Sequence, residues 1–391
     1  MLWQRYVFKR GTELQDVWDR MYSERRGRAE SVRLMYITGR GFDTRAQLVM
    51  SQYTDALRES GCVIDSAELL LVSFSGYELS AELKAQTEEN SERLATIFSA
   101  LGTHTEVRFG PGTGEEDDVS TSAALLEGTR KVLSHIDGHT DIVLDVSSLP
   151  RIVYVALMLA ILSQLVPTGA DDSALHAGGV NFQVLVGEDA ALDSLIVSED
   201  PGSSLVLIPG YSAALQLEGM QDWHVVWFPI LGESRLAQFR KVMDLAIPSS
   251  AEVCPVLPHP SRDPRRADNL LLEYKEPLFD ARDVPLSNVL LAHEAHPFEA
   301  YRQLLGAMVR YQGSMGLVGG TRMVVTPLAS KLITLGAALA CFEMKRGAVG
   351  KNYSVAIPYA EPRRYVVSAA TVRESKPVVS GMLLTGDAYS A

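Results

Sequence analysis

Two short runs, one in each half of the chain, put a basic residue where an apolar strand hands over to an apolar helix. The first is Asp145-Val146-Ser147-Ser148-Leu149-Pro150-Arg151, between the strand-like 141–146 and the apolar 152–165. The second is Thr326-Pro327-Leu328-Ala329-Ser330-Lys331, between 322–326 and 332–342. A helix start offers unpaired backbone N–H groups and a partial positive charge, which suits an anion. Ser147, Ser148, Thr326 and Ser330 could donate hydrogen bonds to such an anion, and Arg151 and Lys331 could neutralise it. A cation at a helix start is unfavourable unless an anion or a carboxylate compensates. A structural pair such as Arg151 with Asp145 would explain one occurrence; the recurrence favours a ligand, and phosphate is the chemistry implied.

Other turns carry the same stamp. Thr38-Gly39-Arg40-Gly41-Phe42-Asp43-Thr44-Arg45 follows the first strong strand. Its glycines allow a tight turn and close approach to a phosphate, Arg40 and Arg45 could pair with one, and Asp43 could orient an arginine or accept a ribose hydroxyl. The third glycine of the dinucleotide fingerprint is missing, and GxxxxGK[ST] occurs nowhere, which disfavours NAD binding and Walker-type ATP hydrolysis. Ser73-Phe74-Ser75-Gly76-Tyr77 could supply two hydroxyls and a stacking ring, and Gly232-Glu233-Ser234-Arg235 is the second-half counterpart of the Gly39 turn. His293-Glu294-Ala295-His296 lacks the spacing of HExxH, so no metal site is expected, and no cofactor motif is found. GxSxG is absent, and Cys62, Cys254 and Cys341 stand in no recognisable catalytic context.

The elements that would position these turns alternate. Strands are expected over 32–38, 68–74, 105–109, 141–146 and 182–186, with helices over 46–60, 81–101, 122–136 and the apolar run from Ile152. Residues 110–118 read as an acidic loop and 167–180 as a polar one. A second round has strands over 225–230, 253–257, 289–292, 323–326 and 354–358 and helices over 234–246, 297–311 and 331–344. Val/Ile/Leu-rich strands separated by helices indicate parallel sheets covered on both faces. The fold class expected is α/β: two Rossmann-like domains with mostly parallel sheets, related by internal duplication, behind a short N-terminal helical appendage. The divisions expected are 1–30 for the appendage, 31–215 and 220–368 for the domains, and 369–391 for a C-terminal tail. In the appendage Leu14, Trp18 and Met21 share one helix face, for packing on the neighbouring domain or for docking a protein partner.

Bulk composition narrows the function classes. With 391 residues, 47% hydrophobic and 21% charged, the chain has the make-up of a soluble globular protein of two domains or more. A formal charge of −12 disfavours an extended nucleic-acid surface while leaving room for a locally basic pocket. Three widely spaced cysteines suit a reducing cytoplasm, and the longest apolar stretch is too short to span a membrane.

The Asp145-to-Arg151 and Thr326-to-Lys331 turns, with Thr38-Gly39-Arg40-Gly41, resemble those of CARF-type Rossmann domains, which sense cyclic oligonucleotides in prokaryotic antiviral defence. The family's Gly-Gly-Thr-Lys-like turn is replaced here by Ser-Leu-Pro-Arg and Leu-Ala-Ser-Lys, and no nuclease or DNA-binding effector is recognisable. The resemblance implies a nucleotide, cyclic or not, bound between the two domains, a sensor or regulatory role, and either a homodimer or a pseudo-dimer within one chain. The alternatives are a nucleotide-processing enzyme (a hydrolase, ribosyl-transferring enzyme or ring nuclease, with Asp43 as base) and a structural subunit of a complex.

Overall fold

The computed structural model describes residues 1–75, 77–110, 121–167, 174–177, 179–216, 219–315, 319–348 and 350–389. Much of the acidic loop expected over 110–118 and of the polar loop over 167–180 lies outside them, as does Gly76. The chain divides into two compact units, Met1–Ile196 with Tyr365–Ala391, and Val197–Arg364. The first boundary therefore falls before the expected 215–220, and the expected C-terminal tail belongs to the first unit.

Unit 1 is built on β2 (Val32–Gly39), β3 (Ile64–Phe74), β4 (Thr103–Phe109), β5 (Asp141–Asp145) and β6 (Asn181–Glu188), all parallel. They lie in the order β6-β5-β2-β3-β4. The chain thus moves outward from β2 to β4, then returns to the other side of β2 for β5. That reversal opens a crevice beyond the carboxyl ends of β2 and β5, where ligands of open α/β sheets bind. The helices α2 (Arg45–Glu59), α3 (Ala81–Phe98), α4 (Thr121–Leu133) and α5 (Arg151–Leu165) connect or follow these strands. Residues 152–159, 161 and 162 of α5 are all buried, as an all-round apolar helix requires. Among the described residues no helix is long and apolar enough to cross a membrane.

The sheet continues past β6. The strand Val378–Thr385 pairs antiparallel with β6 on one side and with β1 (Val7–Arg10) on the other. Seven of its eight residues are buried. That two-faced burial explains why Val378-Val379-Ser380-Gly381-Met382-Leu383-Leu384-Thr385 shows no alternation from which a strand could be read. The expected N-terminal helix is α1 (Thr12–Gly27), and it is a wall of the unit rather than an appendage. Leu14, Val17, Trp18, Met21 and Tyr22 join one core with Tyr36, Tyr53 and Leu69. The Trp18 indole donates to Gln183 Oε1 at 2.8 Å and meets the Tyr53 ring edge-on at 5.3 Å. Near the end of α1, buried Arg25 donates to Asp141 Oδ2 at 2.5 Å and to Asp387 Oδ2 at 2.8 Å.

Unit 2 repeats the parallel order. His224–Ile230 is central, Val256–Pro258 and Leu290–Ala292 extend one way, and Thr321–Pro327 and Tyr353–Ala356 the other. The self-similarity read in the sequence is therefore a repeat of topology. The segment after Pro258 leads into a further helix, Arg266–Glu273.

Candidate functional site

The crevice of unit 1 is formed by the turn after β2 and the turn between β5 and α5. They are pressed together. A Cβ on Gly39 would lie 2.6 Å from the Ser148 carbonyl oxygen, and one on Gly41 2.8 Å from the same atom. These glycines thus serve the approach of one turn to the other, where the sequence suggested the approach of a phosphate. The Ser148 hydroxyl donates to the Gly39 carbonyl at 2.8 Å and stands 3.4 Å from the Thr38 hydroxyl. Gly39→Ala is expected to cost roughly 2 kcal/mol, since the added methyl meets backbone that cannot rotate away. Thermal unfolding of the variant measures it; an unchanged midpoint would mean the turns are not in contact.

Beneath the turns sits Asp145, which ends β5 and is fully buried. Its Oδ1 accepts from the Ser147 amide at 2.9 Å and the Ser147 hydroxyl at 2.5 Å, and its Oδ2 from the hydroxyls of Tyr36 and Thr38, each at 3.3 Å. Burial pushes the Asp145 carboxyl up to about 6 against the pull of the Ser147 hydrogen bonds. The Ser147 hydroxyl also accepts from the Gly187 amide at 2.8 Å. Ser147 and Thr38, expected to face a ligand, are buried and hold the strand ends together. Asp145 pairs with this network, not with Arg151.

Arg45 and Asp43 likewise turn inward. The Arg45 guanidinium donates to both oxygens of Asp43, closest at 2.6 Å, and to Asp193 at 2.8 Å. Burial opposes that charge, and the two carboxylates more than offset it. Asp43, the base of the enzymatic alternative, is thereby engaged by a guanidinium. Arg40 stays half-buried, paired with Glu88 and within 3.7 Å of Glu106. Arg151 is the first residue of α5, partly exposed, with Pro150 at the cap and no acidic residue in the first turn.

A feature that sequence reading only half saw lies at the same edge. Phe74 ends β3, with its ring 5.0 Å from that of Tyr77. Tyr77 meets Tyr365 edge-on at 4.8 Å, and Tyr365 lies 6.4 Å from Phe42 in the Gly39–Asp43 turn. All four rings are partly exposed. Ser73 and Ser75 belong to the same strand end; the Ser75 hydroxyl donates to the Phe109 carbonyl at 3.3 Å, and the buried Ser73 Oγ has no partner among the described residues. Tyr77 was legible as a stacking ring; Tyr365 was not, because it joins the site only through the chain's return to unit 1.

The matching edge of unit 2 has other chemistry. Gly232 packs on the Leu328 carbonyl as Gly39 does on that of Ser148, and Tyr274 donates to the Gly232 carbonyl at 2.8 Å. Buried Thr326 accepts the Trp227 indole N–H at 2.9 Å. Ser234 adopts a positive φ of 57°, and its amide donates to Glu273 at 3.0 Å. Partly exposed Arg235 caps the next helix, and Glu233 and Glu294 grip Arg266 beside it. Lys331 opens its helix as Arg151 does, behind Ser330, whose buried hydroxyl has no partner among the described residues. His293 and His296 each accept a nearby backbone N–H, and no group of three metal-ligating side chains occurs among the described residues.

No family model matches this chain, and no curated protein matches it. Among solved structures, the cytoplasmic domain of a prokaryotic cation chloride cotransporter is similar over 87% of this chain and 96% of that one, at 10% identity and a TM-score of 0.21.

Proposed function

We propose that the protein binds a phosphorylated ligand, a nucleotide, at the carboxyl edge of the unit 1 sheet and acts as a sensor or regulatory subunit. The observation that carries this reading is the chain of four partly exposed rings, Phe74, Tyr77, Tyr365 and Phe42, running beside the turn at the strand-order reversal. Aromatic faces accept any nucleobase by stacking. Arg40 and Arg151 stand on the two turns of the same crevice, where guanidiniums suit a phosphate. The likeness of these turns to CARF domains makes cyclic oligonucleotides the first ligands to try and antiviral defence the setting to consider. The Arg45 grip on Asp43 weighs against the enzymatic alternative, because it removes the candidate base.

The test is mass spectrometry of small molecules released on denaturation, followed by calorimetry with a nucleotide panel that includes cyclic oligonucleotides. Tyr77→Ala is expected to weaken binding by about 1–3 kcal/mol, the worth of one base–aromatic stack. Arg151→Ala should cost about 1.5–3 kcal/mol. Binding that both variants leave intact would move the site elsewhere, and turnover of the bound nucleotide would restore the enzymatic alternative.

A further inference from the structure

A cavity of about 650 Å³ opens in unit 1 between α2, α3 and the segment Arg373 to Pro377, with none of the four aromatic rings in its wall. Its size falls within the roughly 300–1,000 Å³ of small-molecule sites. The charge of its wall is the reverse of the chain's. Arg93, Arg373 and Lys376 line it against a single carboxylate, Glu89, in a protein of net charge −12. Glu89 is shared, at 3.2 Å from Arg93 and 3.1 Å from Arg373, so one negative charge spans two guanidiniums. Arg45, also at the wall, has its own carboxylates in Asp43 and Asp193.

The floor is polar and ordered. Asn90 donates to the Gly41 carbonyl at 2.7 Å and accepts from Gln47 at 2.7 Å, and Gln86 donates to the Phe42 carbonyl at 2.8 Å. Gln86 is 1% exposed, and its Oε1 has no partner among the described residues. A buried acceptor left open in this way calls for a donor. Leu48, Ile97 and Pro377 add an apolar flank.

We infer that this cavity is a second ligand site, which takes a small phosphorylated molecule whose phosphate lies between Arg93, Arg373 and Lys376 and whose hydroxyl or N–H donor reaches Gln86. Gln86 and Asn90 hold the backbone of the Gly39–Asp43 turn from behind, so an occupant would contact the residues that support that turn. The inference stands on the cavity alone and does not need the nucleotide reading of the aromatic edge.

Inorganic pyrophosphate, titrated into the full-length protein by calorimetry, is the probe. Arg93 and Arg373 are more than half exposed, so Arg93→Gln with Arg373→Gln should leave the fold intact. The double variant is expected to weaken pyrophosphate binding at least about tenfold, as loss of charge-assisted contacts requires. Arg93→Lys with Arg373→Lys should retain most of it, and Arg58→Gln, exposed and outside the cavity wall, all of it. Equal binding by the wild type and the double Gln variant would overturn the assignment. So would the absence of heat with pyrophosphate alongside binding of an acidic peptide, which would make the cavity a protein-docking groove.

Discussion

Replacing Arg25 with alanine is expected to destabilise unit 1 by about 3–5 kcal/mol, the cost of leaving a buried charge without its partner. Asp141 is fully buried, and its counter-charge is Arg25, itself 4% exposed. Thr140 and Asn181 also donate to Asp141, at 2.6 and 2.9 Å, but neither carries charge. Burial already raises the Asp141 carboxyl above its usual range, and Arg25 is the largest influence opposing it. Without the guanidinium the carboxyl rises further, so part of the loss should return at acidic pH as Asp141 takes a proton. Arg25→Met with Asp141→Leu removes both charges and should recover most of the loss, because a buried ion pair gains little over apolar packing of similar volume. Urea denaturation of the single and double variants measures both effects. A single variant within about 1 kcal/mol of wild type would mean that water reaches Asp141.

Asp145 supplies the second prediction, with the opposite habit to most carboxylates. Its folded-state value of about 6 stands above the 3.8 of an unperturbed aspartate. The fold therefore favours the neutral form: the contribution is fully present below 3.8 and is lost as pH rises through 6. A shift of about two units at roughly 1.4 kcal/mol each is worth about 3 kcal/mol. Measured as the difference between wild type and Asp145→Asn, stability should fall by most of that amount from pH 4 to pH 7, because asparagine keeps an acceptor for Ser147 and does not titrate. Parallel profiles for the two proteins would show that Asp145 ionises as an ordinary carboxylate.

Much of the fold was readable because its signals are local. Apolar β2, β3 and β5 and the all-apolar α5 announce parallel strands and buried helices within a few residues of chain. What escaped depends on partners distant in sequence. Ser147 and Arg45 have the composition of anion ligands, and their bonds to Gly187 and Asp193, far along the chain, help turn them inward. Tyr365 carries no local mark of belonging beside Tyr77. The Val378–Thr385 strand was unreadable for a related reason: covered on both faces, it shows the continuous apolarity that a core helix also shows.

That strand orders events during synthesis. Among the described residues β1 finds its only sheet neighbour in Val378–Thr385, so it must wait while all of unit 2 is made. Val378 lies 190 residues past Glu188, the end of β6, so at about 5–20 residues per second β6 is complete roughly 10–40 s before its neighbour is made. Through that time β6 presents an open edge to any strand that passes. The nascent chain is thus exposed to mispairing for as long as unit 2 takes to emerge, and a ribosome that stalls before residue 378 leaves the edge open for good.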